Sequence, residues 1–187
     1  MKKTALITGA SSGIGRELAH IHAATGGNLV LVARSTQKLN ELKIELESKY
    51  EIIAAVITKD LTAPNAAREL YDEVKSLNIE VDYLINNAGI VQGKWFADAP
   101  EADIRRTFDI NVFGCLWVLQ AAVRTGTIRH VTQICSVASF ITGYQLSDYS
   151  ASKFAINGFM RSIRLEFKEL KTPITTTCIY PWLIDTG

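Results

Sequence analysis

Ser136, Tyr149 and Lys153 are the residues of this chain best suited to moving a proton to or from a substrate. Tyr149 and Lys153 stand at i and i+4, so on a helix they share one face and their polar ends converge. A free tyrosine, with a reference pKa of about 10, is a poor base at neutral pH. A lysine ammonium close by favours the phenolate, which lets the pair trade protons near working pH. Tyr-x-x-x-Lys is short and built from common residues, so its weight comes from its company. That company is Thr8-Gly9-Ala10-Ser11-Ser12-Gly13-Ile14-Gly15 near the N-terminus, a glycine-rich stretch of the kind that cradles phosphates.

The cradle needs a strand before it and a helix after it, and the pattern supplies both. Thr4–Thr8 reads as a strand, and a helix is expected from Gly13 to Thr25, ended by Gly26-Gly27. Gly9 allows the tight turn, Gly13 lets a pyrophosphate approach the backbone, and Gly15 lets the helix pack on the sheet. The helix N-terminus then faces the phosphates with unpaired N–H groups and its positive dipole end. The spacing is Gly-x-x-x-Gly-x-Gly, and a glycine turn without a ligand is the alternative. At the end of the second strand the chain reads Val32-Ala33-Arg34-Ser35. An NAD site normally has an acidic residue there for the ribose 2′-hydroxyl, whereas Arg34 suits a 2′-phosphate. NADP(H) is therefore expected over NAD(H), the alternative being a surface arginine at a strand end.

Short β-branched runs alternate with longer amphipathic stretches throughout. Strands are expected at Thr4–Thr8, Asn28–Ala33, Ile52–Thr58, Val81–Asn86, His130–Ser136 and Thr175–Tyr180. Several are apolar on both faces, as for parallel strands covered on each side. Besides the first helix, Ser35–Tyr50 places Leu39, Leu42 and Leu46 on one stripe. Thr62–Leu77 has Thr62 as a possible N-cap and Pro64 in its first turn. Further helices are expected at Glu101–Phe108, Val112–Arg124 and Tyr149–Leu170. The alternation implies βαβ units and an α/β doubly wound parallel sheet of Rossmann type, flanked by helices on both faces. No linker interrupts residues 1–187, so one domain is expected.

Composition narrows the partners. Lys and Arg number 20 against 19 Asp and Glu, a net charge of +1, which offers no field for nucleic acid. No apolar run approaches the roughly 20 residues that span a bilayer. Met1–Gly9 superficially resembles a signal peptide but has too short an apolar stretch. Cys115, Cys135 and Cys178 are odd in number and widely spaced, which reads as buried, reduced thiols in a cytoplasmic protein. Cys135 adjoins Ser136, so an alkylating reagent could affect activity there. His20, His22 and His130 lack metal-ligand spacing, and no metal is expected.

Taken together, Thr8–Gly15, Asp60-Leu61, Asn86-Asn87-Ala88-Gly89, Asn111, Ser136, Tyr149-Ser150-Ala151-Ser152-Lys153 and Pro181 through Thr186 resemble the classical short-chain dehydrogenase/reductase family over essentially the whole chain. The resemblance implies that Gly9, Ser11, Ser12, Gly13, Ile14 and Gly15 hold the cofactor phosphates, and that Asp60 and Leu61 hold the adenine. Asn87, Ala88 and Gly89 would line the cofactor cleft, and Pro181, Ile184 and Thr186 would also contact the cofactor. Tyr149 would be the general acid/base, Lys153 would assist it and bind the nicotinamide ribose, and Ser136 would orient the substrate oxygen. Asn111 would support a water linking Lys153 to solvent, or merely kink its helix. Asn86 could tie adjacent strands together.

The implied activity is hydride transfer between nicotinamide and a carbonyl or alcohol. Ile134–Ala155 with Gly158-Phe159 is similar to retinol and hydroxysteroid dehydrogenases of the family, which favours an apolar ketone, aldehyde or alcohol. Phe140, Ile141, Tyr144 and Leu146 could line its pocket, or simply pack. The family usually has Pro-Gly where this chain has Pro181-Trp182, and its members continue past Gly187 through a substrate-covering segment and a seventh strand. An NADP(H)-binding module with little turnover is therefore the alternative. Further residues after Gly187, or a partner over the sixth strand, are expected. The helices Val112–Arg124 and Tyr149–Leu170 would pair across a two-fold axis in a homodimer or homotetramer, with Phe154, Phe159, Ile163, Phe167 and Leu170 on the second.

Overall fold

Six short strands form one parallel sheet in the order β3-β2-β1-β4-β5-β6. They are β1 (Thr4–Thr8), β2 (Asn28–Ala33), β3 (Ala54–Thr58), β4 (Tyr83–Asn86), β5 (His130–Ile134) and β6 (Thr175–Ile179). The computed structural model describes residues 2–182 and 184. The helices are α1 (Gly13–Ala24), α2 (Thr36–Lys49), α3 (Ala66–Ser76), α4 (Glu101–Phe108), α5 (Cys115–Arg124) and α6 (Ser147–Glu169).

Side chains alternate along a strand, and β1 uses both faces for core. Ala5 and Ile7 join Ala19 and Ala23 of α1 and Leu39, Leu42 and Leu46 of α2 in one layer. Leu6 joins Leu70 and Val74 of α3, Val118 and Leu119 of α5, and Ile156 and Met160 of α6 in the other. β1 is buried at every position, as a central parallel strand should be. On β4 and β5 only the α5/α6 side is fully buried, and on β6 the same side (Thr176 and Cys178) is half-buried. Tyr83, Ile85 and Thr132 on the opposite side are half-buried, and β6 is the edge strand among the described residues.

Several boundaries differ from the sequence expectations. α3 starts at Ala66, after Asn65 in a left-handed conformation (φ 62°), so Thr62 is no N-cap and Pro64 precedes the helix. Thr62 instead donates its N–H and hydroxyl to the Asp60 carboxylate, a turn that outcompetes an early helix start. β3 and β4 begin two residues later than expected, at Ala54 and Tyr83, and β5 ends at Ile134, before Ser136. The expected separate helices Glu101–Phe108 and Val112–Arg124 are joined by a π-helical turn, Asp109–Gly114.

The order reverses between β1 and β4, whose connections leave toward opposite faces. A crevice opens beyond the carboxyl ends of these strands, where open α/β sheets bind ligands. Thr8-Gly9 and Asn86-Asn87 form its two lips.

Candidate active site

The glycine loop leaves β1 at Gly9 (φ 66°) and enters α1 at Gly13 (φ 52°), both in the left-handed region that side chains disfavour. A Cβ at Gly15 would collide with the Gly9 carbonyl and the Asn87 side-chain amide, so only glycine allows α1 to sit this close to the loop. Ser12 is the N-cap of α1, yet its side chain makes no capping hydrogen bond. The first N–H groups of α1 therefore lack a side-chain partner at the mouth of the crevice, the arrangement that receives an anion. Ser11 and Ile14 are half-buried in the same turn, and Ser12 is exposed.

Thr8, which sequence reasoning missed, clamps the two lips together. Its hydroxyl accepts from Asn87 N–H at 2.9 Å and Ala88 N–H at 3.0 Å, and donates to Asn86 Oδ1 at 3.4 Å. Asn87 Nδ2 donates to Thr8 O and Gly9 O, at 3.0 and 3.3 Å. Asn86 is fully buried and donates Nδ2 to Cys115 O at 2.8 Å, which ties β4 to α5 and accords with the structural role considered for it. A phosphate loop and a segment nearly eighty residues away in sequence are thus one rigid unit. The pattern of either strand alone carries no signal of it.

Arg34 is exposed beyond β2 and Asp60 beyond β3. The Thr62 N–H on the Asp60 carboxylate holds its pKa below the usual carboxylate range against burial, with the Arg34 charge adding to the effect. Arg34 and Asp60 therefore share one neighbourhood. Leu61 packs its backbone against Gly114, where a Cβ would stand 3.3 Å from Leu61 O.

Ser136 follows the carboxyl end of β5, and Tyr149 and Lys153 stand in the first turns of α6. Ser136 caps the turn Val137–Ser139, its Oγ accepting from Ala138 N–H at 3.1 Å. The hydroxyl proton is left for another acceptor. Lys153 is 5% exposed and donates from Nζ to Ile134 O at 3.2 Å, with Nζ 5.6 Å from the Tyr149 ring centroid. Ser139 Oγ grips Lys153 O at 3.0 Å, so the turn carrying Ser136 and the helix carrying Lys153 are locked to each other. Lys153 Nζ also faces Gly89, lying 3.7 Å from where a Cβ would be. Asn111 sits in the π-helical turn, a feature frequent at functional sites. It bonds Ile90 and Ser152 and makes no direct hydrogen bond to Lys153. Thr107 donates to Asp148 at 2.6 Å and pins the start of α6 to α4. Ser139, Thr107 and Asp148 are supporting residues outside the motif, and Ser152 is a motif residue to which no role had been given.

The apolar residues expected to line a pocket are more open than anticipated. Phe140 and Ile141 are more than half exposed, with the Phe140 ring tilted 49° against Tyr180 at a centroid distance of 4.8 Å. Tyr144 is exposed and packs beside Trp95, while Lys94 N–H donates to Gln145 O. The segments after β4 and β5 thus meet at the rim of the crevice. Pro181 is half-buried and accepts from Val137 N–H at 3.0 Å, next to Ser136. Trp182 and Ile184 are exposed, and Thr186 lies outside the described residues.

Comparison with known proteins agrees with this arrangement. The family model described as short chain dehydrogenase matches residues 3–187. Short-chain dehydrogenase/reductase family 16C member 6 of Bos taurus is 36% identical over 186 residues, covering 97% of this chain and 59% of that protein. Epidermal retinol dehydrogenase 2 of Homo sapiens is 37% identical over 187 residues, covering 97% and 60%. Among solved structures, an alcohol dehydrogenase from Thermococcus sibiricus complexed with 5-hydroxy-NADP superposes with a TM-score of 0.91 at 25% identity, over 100% of this chain and 78% of that one. The chain spans about three fifths of the length of the curated relatives it matches. With that model matched across residues 3–187 and a doubly wound sheet beneath a glycine turn, this chain belongs to the short-chain dehydrogenase family.

Proposed function

We propose that the chain is the nucleotide-binding and proton-transfer part of an NADP(H)-dependent oxidoreductase acting on apolar ketones, aldehydes or alcohols. The observation that supports this reading is the Lys153 ammonium facing Gly89, on a helix locked through Ser139 to the turn that carries Ser136. The cradle fits a dinucleotide, because its glycines remove the side chains that would fill it and α1 presents uncapped N–H groups there.

When bound, the nicotinamide would supply or accept the hydride at the substrate carbon. The chain's own residues handle the rest. Ser136 donates its hydroxyl proton to the substrate oxygen and fixes its direction. Tyr149 gives that oxygen a proton in reduction and takes it back in oxidation. Lys153, anchored through Ile134 O, keeps a positive charge where the phenolate forms and has further N–H donors for ribose hydroxyls. Asn111 holds the Gly89–Ile90 segment against α6 and would help lead protons from Lys153 to solvent.

Arg34 is assigned to the 2′-phosphate, which makes NADP(H) the expected cofactor. Arg16, the other arginine near the loop, is already paired with Glu45 at 2.5 Å. The apolar substrate class rests on Trp95, Phe140, Ile141 and Tyr144 at the rim, and on the likeness to a protein named as a retinol dehydrogenase. No described helix is long and apolar enough to cross a membrane, and a cytoplasmic location remains part of the proposal. Self-association is proposed through α5, with the π-helical turn before it, and α6, where Phe113, Trp117, Phe154 and Leu165 are exposed. Phe167, expected on that face, is instead buried in the core.

Fluorescence titration with NADPH and NADH, followed by turnover of a panel of ketones and aldehydes, tests the reading. Tighter NADPH binding and reduction of the apolar members are expected. Cofactor binding without turnover of any member would favour the binding-module alternative.

A further inference from the structure

The π-helical turn joins α4 and α5 into one rod, and two hydrogen bonds tie that rod to α6 at the same sequence offset. Thr107 Oγ1 donates to Asp148 Oδ2 at 2.6 Å, and Asn111 Nδ2 donates to Ser152 Oγ at 3.1 Å. Each pair is 41 residues apart, and each helix advances by one turn between them, so the bonds are successive rungs between faces that run the same way. The residue after the first rung is Tyr149, and the residue after the second is Lys153.

The start of α6 depends on such a tether. Its N-cap, Leu146, makes no side-chain capping bond, and Gln145 before it lies in the left-handed region (φ 61°). A first turn with unpaired N–H groups and no cap frays readily. Tyr149 lies in that turn. Among the described residues, no hydrogen bond holds its phenol; side chains reach Tyr149 only at its carbonyl, which accepts from Ser152 Oγ at 2.6 Å. The position of the phenol therefore follows the backbone of the first turn.

Thr107 is fully buried on α4, and Asp148 is half-buried. The threonine hydroxyl has one proton and two acceptors in reach, the Asp148 carboxylate and Asp103 O at 3.1 Å. The carboxylate is the closer and the stronger acceptor. Its charge also suits the positive end of the α6 dipole. The Asp103 carbonyl accepts from Gln92 Nε2 at 3.2 Å, and the Asp103 carboxylate pairs with Lys94. Lys94 N–H in turn donates to Gln145 O at 3.1 Å. These contacts close a ring through the segment after β4, α4 and the start of α6.

We propose that Thr107 and Asp148 are positioning residues for Tyr149: their bond fixes the first turn of α6, and with it the phenol, against the α4–α5 rod. The inference rests on the acid/base role proposed for Tyr149. Lys153 is held separately, through Ile134 O and Ser139, so breaking the Thr107 rung should displace the phenol and leave the Lys153 ammonium in place.

The test compares Thr107→Val, Thr107→Ser and Asp148→Ala with the unmutated full chain. Thr107→Val keeps the volume and removes the donor. Asp148→Ala removes the acceptor at a half-buried position, which provides a folded variant even where Thr107→Val does not fold. In both, kcat per NADPH-binding site should fall on the order of tenfold or more, within what a misplacement of about 1 Å can cost. NADPH affinity should stay that of the unmutated protein, and Thr107→Ser, which keeps the hydroxyl, should retain its turnover. In protein isotope-labelled at tyrosine Cζ, the Tyr149 NMR resonance, assigned through Tyr149→Phe, should shift in the two slow variants and return in Thr107→Ser. Unchanged kcat per binding site, an equal loss in Thr107→Ser, a matching loss of NADPH affinity or an unmoved Tyr149 resonance overturns the proposal. Unmutated protein inactive on every substrate contradicts the function proposed for the chain, while the resonance still decides whether Thr107 and Asp148 position Tyr149.

Discussion

Asn111 and Ile90 exchange two hydrogen bonds, Ile90 N–H to Oδ1 and Nδ2–H to Ile90 O, both 2.8 Å long. The side chain thereby behaves like a strand neighbour for a loop that has none. A third bond, Nδ2 to Ser152 Oγ at 3.1 Å, joins that loop to α6. The segment lining the cleft is therefore held from the helix that carries Tyr149 and Lys153.

Replacing Asn111 with Leu should leave the Ile90 N–H and C=O without partners at a half-buried position. A loss of about 1–3 kcal/mol of stability is expected, from two part-buried backbone groups left unpaired. Urea unfolding measures it, and a loss below about 1 kcal/mol would contradict the bridging role.

Arg34→Ala should remove the preference for NADPH by weakening NADPH binding, with NADH binding nearly unchanged. A charge-assisted contact to a phosphate is worth about 1.5–3 kcal/mol, or roughly tenfold to a hundredfold in affinity. Titrations of both cofactors against both proteins check it. Retention of the original preference would move phosphate recognition elsewhere.

Asp82 precedes β4 and accepts from Lys3 Nζ at 2.7 Å and Thr4 N–H at 3.0 Å. Burial alone would raise its pKa, but these bonds outweigh burial and hold it below the usual carboxylate range. A depressed carboxyl stabilises the fold above its unfolded pKa of about 3.9, and the effect disappears as pH falls through the folded value. Asp82→Asn should therefore be less stable by about 1–2 kcal/mol at neutral pH, and the gap should close in acid. Lys3 is half exposed, so its ion pair contributes the smaller part. A gap that persists unchanged at low pH would contradict this assignment.

Trp117 is 52% exposed on α5, close in sequence to exposed Phe113. If these helices form the proposed two-fold contact, Trp117→Asp should shift the sedimentation coefficient from dimer or tetramer toward monomer at micromolar concentration. An unmutated protein that sediments as a monomer would remove that interface from the account.

The alternation of strands and helices, and with it the doubly wound parallel sheet, was legible because it rests on local periodicity. The tight turn at Gly9 was legible because a left-handed backbone demands a particular residue type; the left-handed Gly13 was read only as room for a pyrophosphate. Thr8 was not, because its partners Asn87 and Ala88 lie 79 and 80 residues on and nothing local marks the contact. The π-helical turn around Asn111 was missed because helical periodicity reads nearly the same on either side of one inserted turn. α3 was started too early because Thr62 and Pro64 look like a helix start until the Asp60 carboxylate captures Thr62. The exposure of Phe140 and Tyr144 reflects how the two rim segments pack on each other, which composition does not report.

Proton transfer by Tyr149, assisted by Lys153, is the central claim. The most direct measurement compares NADPH affinity and the rate of carbonyl reduction in the unmutated, Tyr149→Phe and Lys153→Ala proteins across pH. Tyr149→Phe keeps the ring and removes the transferable proton, so it should bind NADPH as before and lose at least about a hundredfold in rate, the lower range for a general acid. Lys153→Ala should lose both rate and affinity, because its ammonium also serves the ribose. Substantial reduction by the Tyr149→Phe protein at any pH would contradict the account.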